Sequence, residues 1–140
     1  MADFFTHFSC ILDVGSPANV TRARERYHAL AERLERDEAT PIGFMLGVAD
    51  THPTTLWIRD DDTSGEPQHV IAFVSELGPA LGLTGRWGFE WAHTCSKPRL
   101  DTFGGGAHAL DLATGAEIGW LSTNEWLTRM LADPDNAEEA

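Results

Sequence analysis

The chain has 140 residues, 42% of them hydrophobic and 23% charged, with 22 acids against 10 bases for a formal charge of −12. That length and composition suit a single domain with its own hydrophobic core and exclude a disordered chain. A surface so poor in Lys and Arg repels a nucleic-acid duplex, which gains affinity by shedding counterions to basic side chains, so direct nucleic-acid binding is excluded as the expected function. No apolar run approaches the ~20 residues of a membrane span, and the opening Met1-Ala2-Asp3-Phe4-Phe5 lacks a basic stretch, so a cytoplasmic setting away from membranes is expected. Cys10 and Cys95 lie far apart and outside any CxxC or Cys/His zinc spacing, which is ordinary usage for a reducing compartment.

Phe8, Cys10, Leu12 and Val14 alternate with Ser9 and Asp13, the two-residue period of a half-buried strand over residues 8–14. Ser16-Pro17 then gives an N-cap followed by proline at the first helical position, where its missing N–H is harmless. The helix that starts there carries Val20, Ala23, Tyr27, Leu30, Ala31 and Leu34 at three- and four-residue spacings and ends before Thr40-Pro41. Its other face holds Arg22, Arg24, Arg26, Arg33 and Arg36 among Glu25, Glu32, Glu35, Asp37 and Glu38, so the segment is neutral and the acid excess lies elsewhere. Ile42, Phe44, Leu46 and Val48 predict a second strand. Leu56, Trp57 and Ile58 predict a third, paired with it as a hairpin and followed by an acidic turn at Asp60-Asp61-Asp62.

Pro67 opens a second helix with Val70, Phe73, Val74 and Leu77 on one side, which Gly78-Pro79 must end or kink. Residues 86–95 are the clearest strand, with Trp87, Phe89, Trp91, His93 and Cys95 on one face and Arg86, Gly88, Glu90, Ala92 and Thr94 on the other. Residues 96–106, ending in Gly104-Gly105-Gly106, read as an exposed irregular loop. Residues 107–112 and 117–121 read as a closing hairpin around Ala113-Thr114-Gly115. Ser122 and Glu125 have capping-box spacing, and Trp126, Leu127, Met130 and Leu131 give a short last helix its apolar face.

The expectation is therefore one α+β domain over residues 1–132, mostly an antiparallel sheet with helices on one face, followed by a flexible acidic tail over residues 133–140. The order β-α-β-β-α-β is that of the ferredoxin-like split motif, extended by a C-terminal hairpin and short helix.

Candidate chemistry gathers around the glycine-rich stretch, where Trp91, His93, Cys95, Arg99, Asp101, His108 and Asp111 fall on two predicted strands and their connection. Cys95, His108 and Asp111 have the residue types of a nucleophile, a base and an orienting acid, and are the catalytic set if the chain is an enzyme. Against this stands the fact that a cysteine on the apolar face of a strand is most often a small buried hydrophobe. No pair of His and Cys has the fixed spacing of a zinc site, and the glycines lack the phosphate-binding pattern, so no metal or other cofactor is expected. Asp60, Asp61 and Asp62 lack the alternating ligands of a calcium loop and are expected as an exposed acidic face. Trp57 points opposite to Leu56 and Ile58 and is the candidate for an exposed anchor. With Arg99 and Asp101 these residues make up the expected binding set.

The segment from Trp87-Gly88-Phe89-Glu90-Trp91-Ala92 through Thr94-Cys95-Ser96-Lys97-Pro98-Arg99-Leu100-Asp101 to Asp111, together with Phe8-Ser9-Cys10-Ile11-Leu12-Asp13-Val14-Gly15, resembles a block found in small bacterial proteins of no assigned activity, some encoded on plasmids or other mobile elements. That resemblance implies a setting but no reaction, cofactor or site residue. The leading expectation is a binding or inhibitory module that acts by protein–protein contact on a basic, nucleic-acid-handling host complex. The alternatives are a small enzyme or ligand-binding protein using residues 95–111, and a structural subunit that dimerises through a sheet edge.

Overall fold

The N-terminal strand starts earlier than residue 8 and is divided there. In the computed structural model, which describes residues 3–97 and 103–132, strands β1 (Phe4–His7) and β2 (Ser9–Asp13) flank Phe8 and enter different sheets. Phe8 is buried, its N–H donates to Asp60 Oδ1 (2.8 Å), and its carbonyl accepts from the Asp60 N–H (3.1 Å). Both backbone groups at the break are thus satisfied by one residue, which is why the chain can leave one sheet for the other without orphaned polar atoms.

Helix α1 (Pro17–Glu38) begins as its sequence dictates, with the Ser16 hydroxyl accepting from the Asn19 N–H and Pro17 in the first turn. Its stripe of Val20, Ala23, Leu30 and Leu34 is buried, and Tyr27 meets Phe44 and Phe73 edge-on. Strands β3 (Phe44–Gly47) and β4 (Thr55–Asp60) form the expected antiparallel hairpin, and β2 pairs with β4 to give a three-stranded sheet of order β2-β4-β3. Helix α2 (Pro67–Ala80) ends one residue past Pro79 and buries Val70, Phe73, Val74 and Leu77. Strands β5 (Arg86–Cys95), β6 (Gly104–Asp111) and β7 (Glu117–Ser122) build the second sheet, of order β1-β5-β6-β7, and helix α3 (Thr123–Leu131) follows directly. Among the described residues no helix is long and apolar enough to cross a membrane.

One core lies between these parts. Leu56 and Ile58 from β4, Val70, Val74 and Leu77 from α2, and Leu110 from β6 are fully shielded from solvent, each contributing about 1.5–3 kcal/mol relative to exposure.

The α+β class and the antiparallel pairing agree with the sequence, but two expectations are corrected. Instead of one sheet with the helices on one face there are two sheets. Helices α1 and α2 pack into the shared core, whereas α3 leans on β6 and β7 and buries no residue. The second correction concerns the glycines: Gly104, Gly105 and Gly106 are not an exposed loop but the start of β6, opposite His93, Ala92 and Trp91. Sheet packing demands their small size. A Cβ on Gly106 would lie 2.4 Å from the Trp91 ring and 2.7 Å from the Leu121 carbonyl oxygen, so the indole occupies the space a side chain would take. The acidic segment of residues 133–140 lies outside the described residues.

Candidate functional site

The acidic triplet does not form the expected face. Asp60 is buried, and its carboxylate accepts from the N–H groups of Phe8 (2.8 Å) and Asp62 (3.1 Å) and meets His7 Nδ1 at 3.0 Å. Asp61 accepts from the N–H groups of Thr63 (3.1 Å) and Ser64 (2.6 Å) and from the Ser64 hydroxyl. Burial on its own would raise both carboxyl pKa values, but these hydrogen bonds outweigh it and hold both below the usual carboxylate value. Two of the three acids are therefore structural, tying the turn after β4 to the strand break at Phe8. Only Asp62, within 3.9 Å of Arg59, stands well out in solvent. Trp57 is 46% exposed as expected, with its indole N–H on Ser9 Oγ (2.8 Å) and the Arg59 guanidinium over its ring. Arg99 and Asp101 lie outside the described residues.

The proposed nucleophile, base and acid are not brought together. Asp111 lies opposite Arg86 at one end of the ten-residue β5 and Cys95 is at the other, roughly 30 Å away at ~3.3 Å per residue. Asp111 also shares the sheet face of Arg86, whereas His108, opposite Phe89, is on the face of Cys95. Proton relay among the three is ruled out by that geometry, and the catalytic set is corrected accordingly. Both cysteines are free thiols; Cys10 donates to the Ile58 carbonyl, and burial pushes its pKa up to about 12, so it is chemically quiet.

His108 has a different setting. Pairing places Phe89, His108 and Trp120 in a row across β5, β6 and β7, with Trp91 and Gly106 in the next row on the same face. Because Gly106 has no side chain, the Trp91 indole lies over it towards β7, and α2 closes the space from above. The result is a cavity of about 220 Å³ lined by Gln68, Ile71, Trp91, His108, Glu117 and Trp120. His108 is only 7% exposed; its Nε2 lies 3.0 Å from Glu117 Oε1, and its Nδ1 has no hydrogen-bond partner among the described residues. A carboxylate accepts only, so Nε2 carries the hydrogen, and in the neutral ring Nδ1 presents a lone pair into the protein. The sequence flagged His108 but not Gln68, Glu117 or Trp120, because only the β6–β7 register and the seat of α2 put them beside it.

A second unusual surface lies next to this cavity. Of the twelve large hydrophobic residues exposed among the described residues, seven (Ile118, Trp120, Leu121, Trp126, Leu127, Met130 and Leu131) belong to β7, its bulge and α3. β7 is the last strand of its sheet, so its outer edge has no strand beside it among the described residues. The Ser122 hydroxyl caps α3 at the Glu125 N–H as the sequence predicts, and Thr123 Oγ1 holds the Gly105 backbone. These contacts fix the helix in place while leaving its apolar face open. Sequence periodicity found that face but not that it stays uncovered. Among the described residues no group of three His, Cys, Asp or Glu side chains comes together to hold a metal ion. Scanned against protein-family models the chain matches none, and neither the curated proteins nor the solved structures return a match.

Proposed function

We propose that this chain is a small acidic binding module that works by protein–protein contact through the outer edge of β7 and the apolar face of α3. The observation that carries this reading is the concentration of exposed apolar side chains in residues 118–131, on a helix none of whose residues is buried. A nine-residue helix is marginal by itself, so holding one out with Trp126, Leu127, Met130 and Leu131 in water costs stability without a folding benefit. On α3 itself Trp126, Leu127, Met130 and Leu131 are 47%, 51%, 51% and 76% exposed, an apolar surface of the kind that marks protein contact sites. Two tryptophans of the patch, Trp120 and Trp126, are the residue type that most often anchors such contacts.

Charge complementarity argues for a basic partner. The patch itself carries only Glu117, Glu125 and Arg129, yet the whole chain is at −12 and the sequence after α3 continues with Asp133, Asp135, Glu138 and Glu139. An apolar seat within an acidic field suits a protein groove or strand edge rimmed by Lys and Arg, and opposes a second copy with the same charge. Inhibition of a basic, nucleic-acid-handling complex, with the chain's acid competing against phosphate, is the form of this reading we favour; the mobile-element resemblance of the sequence fits it. The succession of β2, α1, β3, β4, α2 and β5 also fits a ferredoxin-like unit whose first strand is divided at Phe8, and that kinship is part of the proposal.

The test is capture from the native host with the wild-type chain and with a Leu127→Glu/Met130→Glu double variant, both positions being exposed. A Lys- and Arg-rich protein retained by the wild type and lost by the variant supports the surface. Equal retention refutes it, and a salt-stable dimer abolished by the variant would reassign it to a second copy.

A further inference from the structure

We propose that the partner docks by strand addition: an extended segment that alternates apolar residues with Lys or Arg lies beside β7 as a fifth strand and bonds to the backbone of Trp120. This deepens the β7–α3 contact described above and rests on it. The claim concerns main-chain groups at a sheet edge, so it can fail while the contact surface stands.

Antiparallel pairing fixes which way each backbone group points, because successive residues of a strand bond alternately to one neighbour and to the other. On β6, the Asp111 N–H donates to the Ala116 carbonyl, and both backbone groups of Gly105 bond to the Thr123 hydroxyl. Odd-numbered residues of β6 therefore face β7. Gly119 and Leu121, opposite Ala109 and Ala107, bond inward, and the N–H and C=O of Trp120 between them point away from the sheet. At the other edge strands the outward groups are covered. The Ile11 carbonyl of β2 accepts from the Trp87 indole N–H (2.8 Å), and the Phe44 carbonyl of β3 accepts from the Tyr27 hydroxyl. The Thr6 carbonyl of β1 lies against Gly65, where a Cβ would come within 2.2 Å of it. Among the described residues nothing caps Trp120 in this way, and β7 has neither the proline nor the lysine that commonly protects an edge.

An occupant of this edge must offer its own N–H and C=O in extended form, which a helix cannot do because its backbone groups bond to one another. The side chains of an added strand stand alternately on the two faces of the sheet. The face of Trp120 also carries Glu117, whose side chain is 55% exposed, and the face of Leu121 carries Glu90 on β5, two strands in. Carboxylates on both faces, in a chain at −12, favour Lys and Arg on the added strand and oppose Asp and Glu. The Trp120 indole offers the residue opposite it an apolar or cationic contact. A second copy pairing β7 with β7 would bring both copies' Glu117, and two chains of the same net charge, to one edge, which opposes that arrangement.

The experiment is amide hydrogen exchange on the full chain, alone and with capped peptides of about eight residues that alternate Lys or Arg with Val, Ile or Phe. In the free chain the Trp120 amide should exchange at least ~10-fold faster than those of Gly119 and Leu121, which bond to β6. Saturating peptide should slow Trp120 at least ~10-fold and leave Gly119 and Leu121 where they were. Three controls of matched length should give no protection: the Lys–Val peptide with two adjacent central residues replaced by Pro, which takes donors from both of its edges; a Glu–Val peptide; and a Lys-bearing peptide held helical. A Trp120 amide already slow in the free chain, at every concentration or only where the chain dimerises, would overturn the proposal. So would equal protection by any control, binding that leaves Trp120 exchange unchanged, or protection by no member of the peptide set. Capture from the host separates this inference from the reading beneath it. A partner lost with Leu127→Glu/Met130→Glu, combined with a Trp120 amide that no peptide protects, keeps the contact surface and removes strand addition. Protection of Trp120 with capture unchanged in that variant removes the α3 contact and supports addition at the edge.

Discussion

Asp60, Asp61 and Asp62 are identical in type and consecutive, yet they occupy three settings that no local rule separates. Asp60 holds the Phe8 N–H, the Asp62 N–H and His7, and its pKa lies below the ordinary carboxylate value because those bonds outweigh the opposing effect of burial. A depressed folded-state pKa stabilises the fold above the unfolded value of about 3.9 and loses that contribution as pH falls through the folded value. Asp60→Asn should therefore destabilise the chain at pH 7 by about 1–3 kcal/mol, since the amide presents hydrogens to backbone donors. Urea denaturation should find the gap between variant and wild type narrowing below pH 4; a gap independent of pH would show that the charge is not what matters. The sequence could suggest an acidic turn here, but the partner of Asp60 is a backbone group 52 residues away, and distant hydrogen bonds leave no imprint on spacing.

At the scale of elements, periodic segments were legible and their junctions were not. α1 and α2 have long runs with one buried face and β5 a ten-residue run alternating about the buried Phe89, so their apolar period survives any local accident and their bounds follow from Ser16, Pro17, Pro67 and the alternation from Arg86. The start of β6 was hidden because three glycines ordinarily mark irregular backbone, and their real reason is the Trp91 ring on the adjacent strand. The division of the first strand was hidden because Phe8 continues the alternation while the backbone changes partner. Within the candidate site, His108 was visible as a residue type, but its neighbours depend on register and on the seat of α2. Gly78 shows the same kind of constraint in a helix: a Cβ there would meet the Leu112 carbonyl oxygen at 2.2 Å, so α2 lies directly against the chain leaving β6. Gly78→Ala, which would strengthen an isolated helix, should instead destabilise this one by about 1–3 kcal/mol. A lowered urea midpoint with an unchanged slope is the expected reading, and a raised midpoint would show that the two backbones can part.

Across the whole molecule the dominant quantity is charge. With 22 acids and 10 bases, the compact state places like charges close together, and their repulsion is screened over about 10 Å at 0.1 M salt. Thermal unfolding should therefore rise by several degrees between dilute buffer and ~0.2 M sodium chloride, the Debye length falling across that range. A melting temperature that is flat or falls with salt would mean that the ion pairs on α1, such as Arg36 with Asp37, offset the repulsion. The same field favours the approach of cations and basic surfaces over that of anions.

The pairing of β1 with β5 has a consequence for how the protein is made. Phe4 through His7 can be placed only after Ala92 through Cys95 exist, so the first strand must wait on the ribosome at least until Cys95 has been added. β2, by contrast, finds β4 much sooner. The three-stranded sheet can mature during translation, and the aromatic pair Phe4 and Phe5 stays available to chaperones until the other sheet arrives.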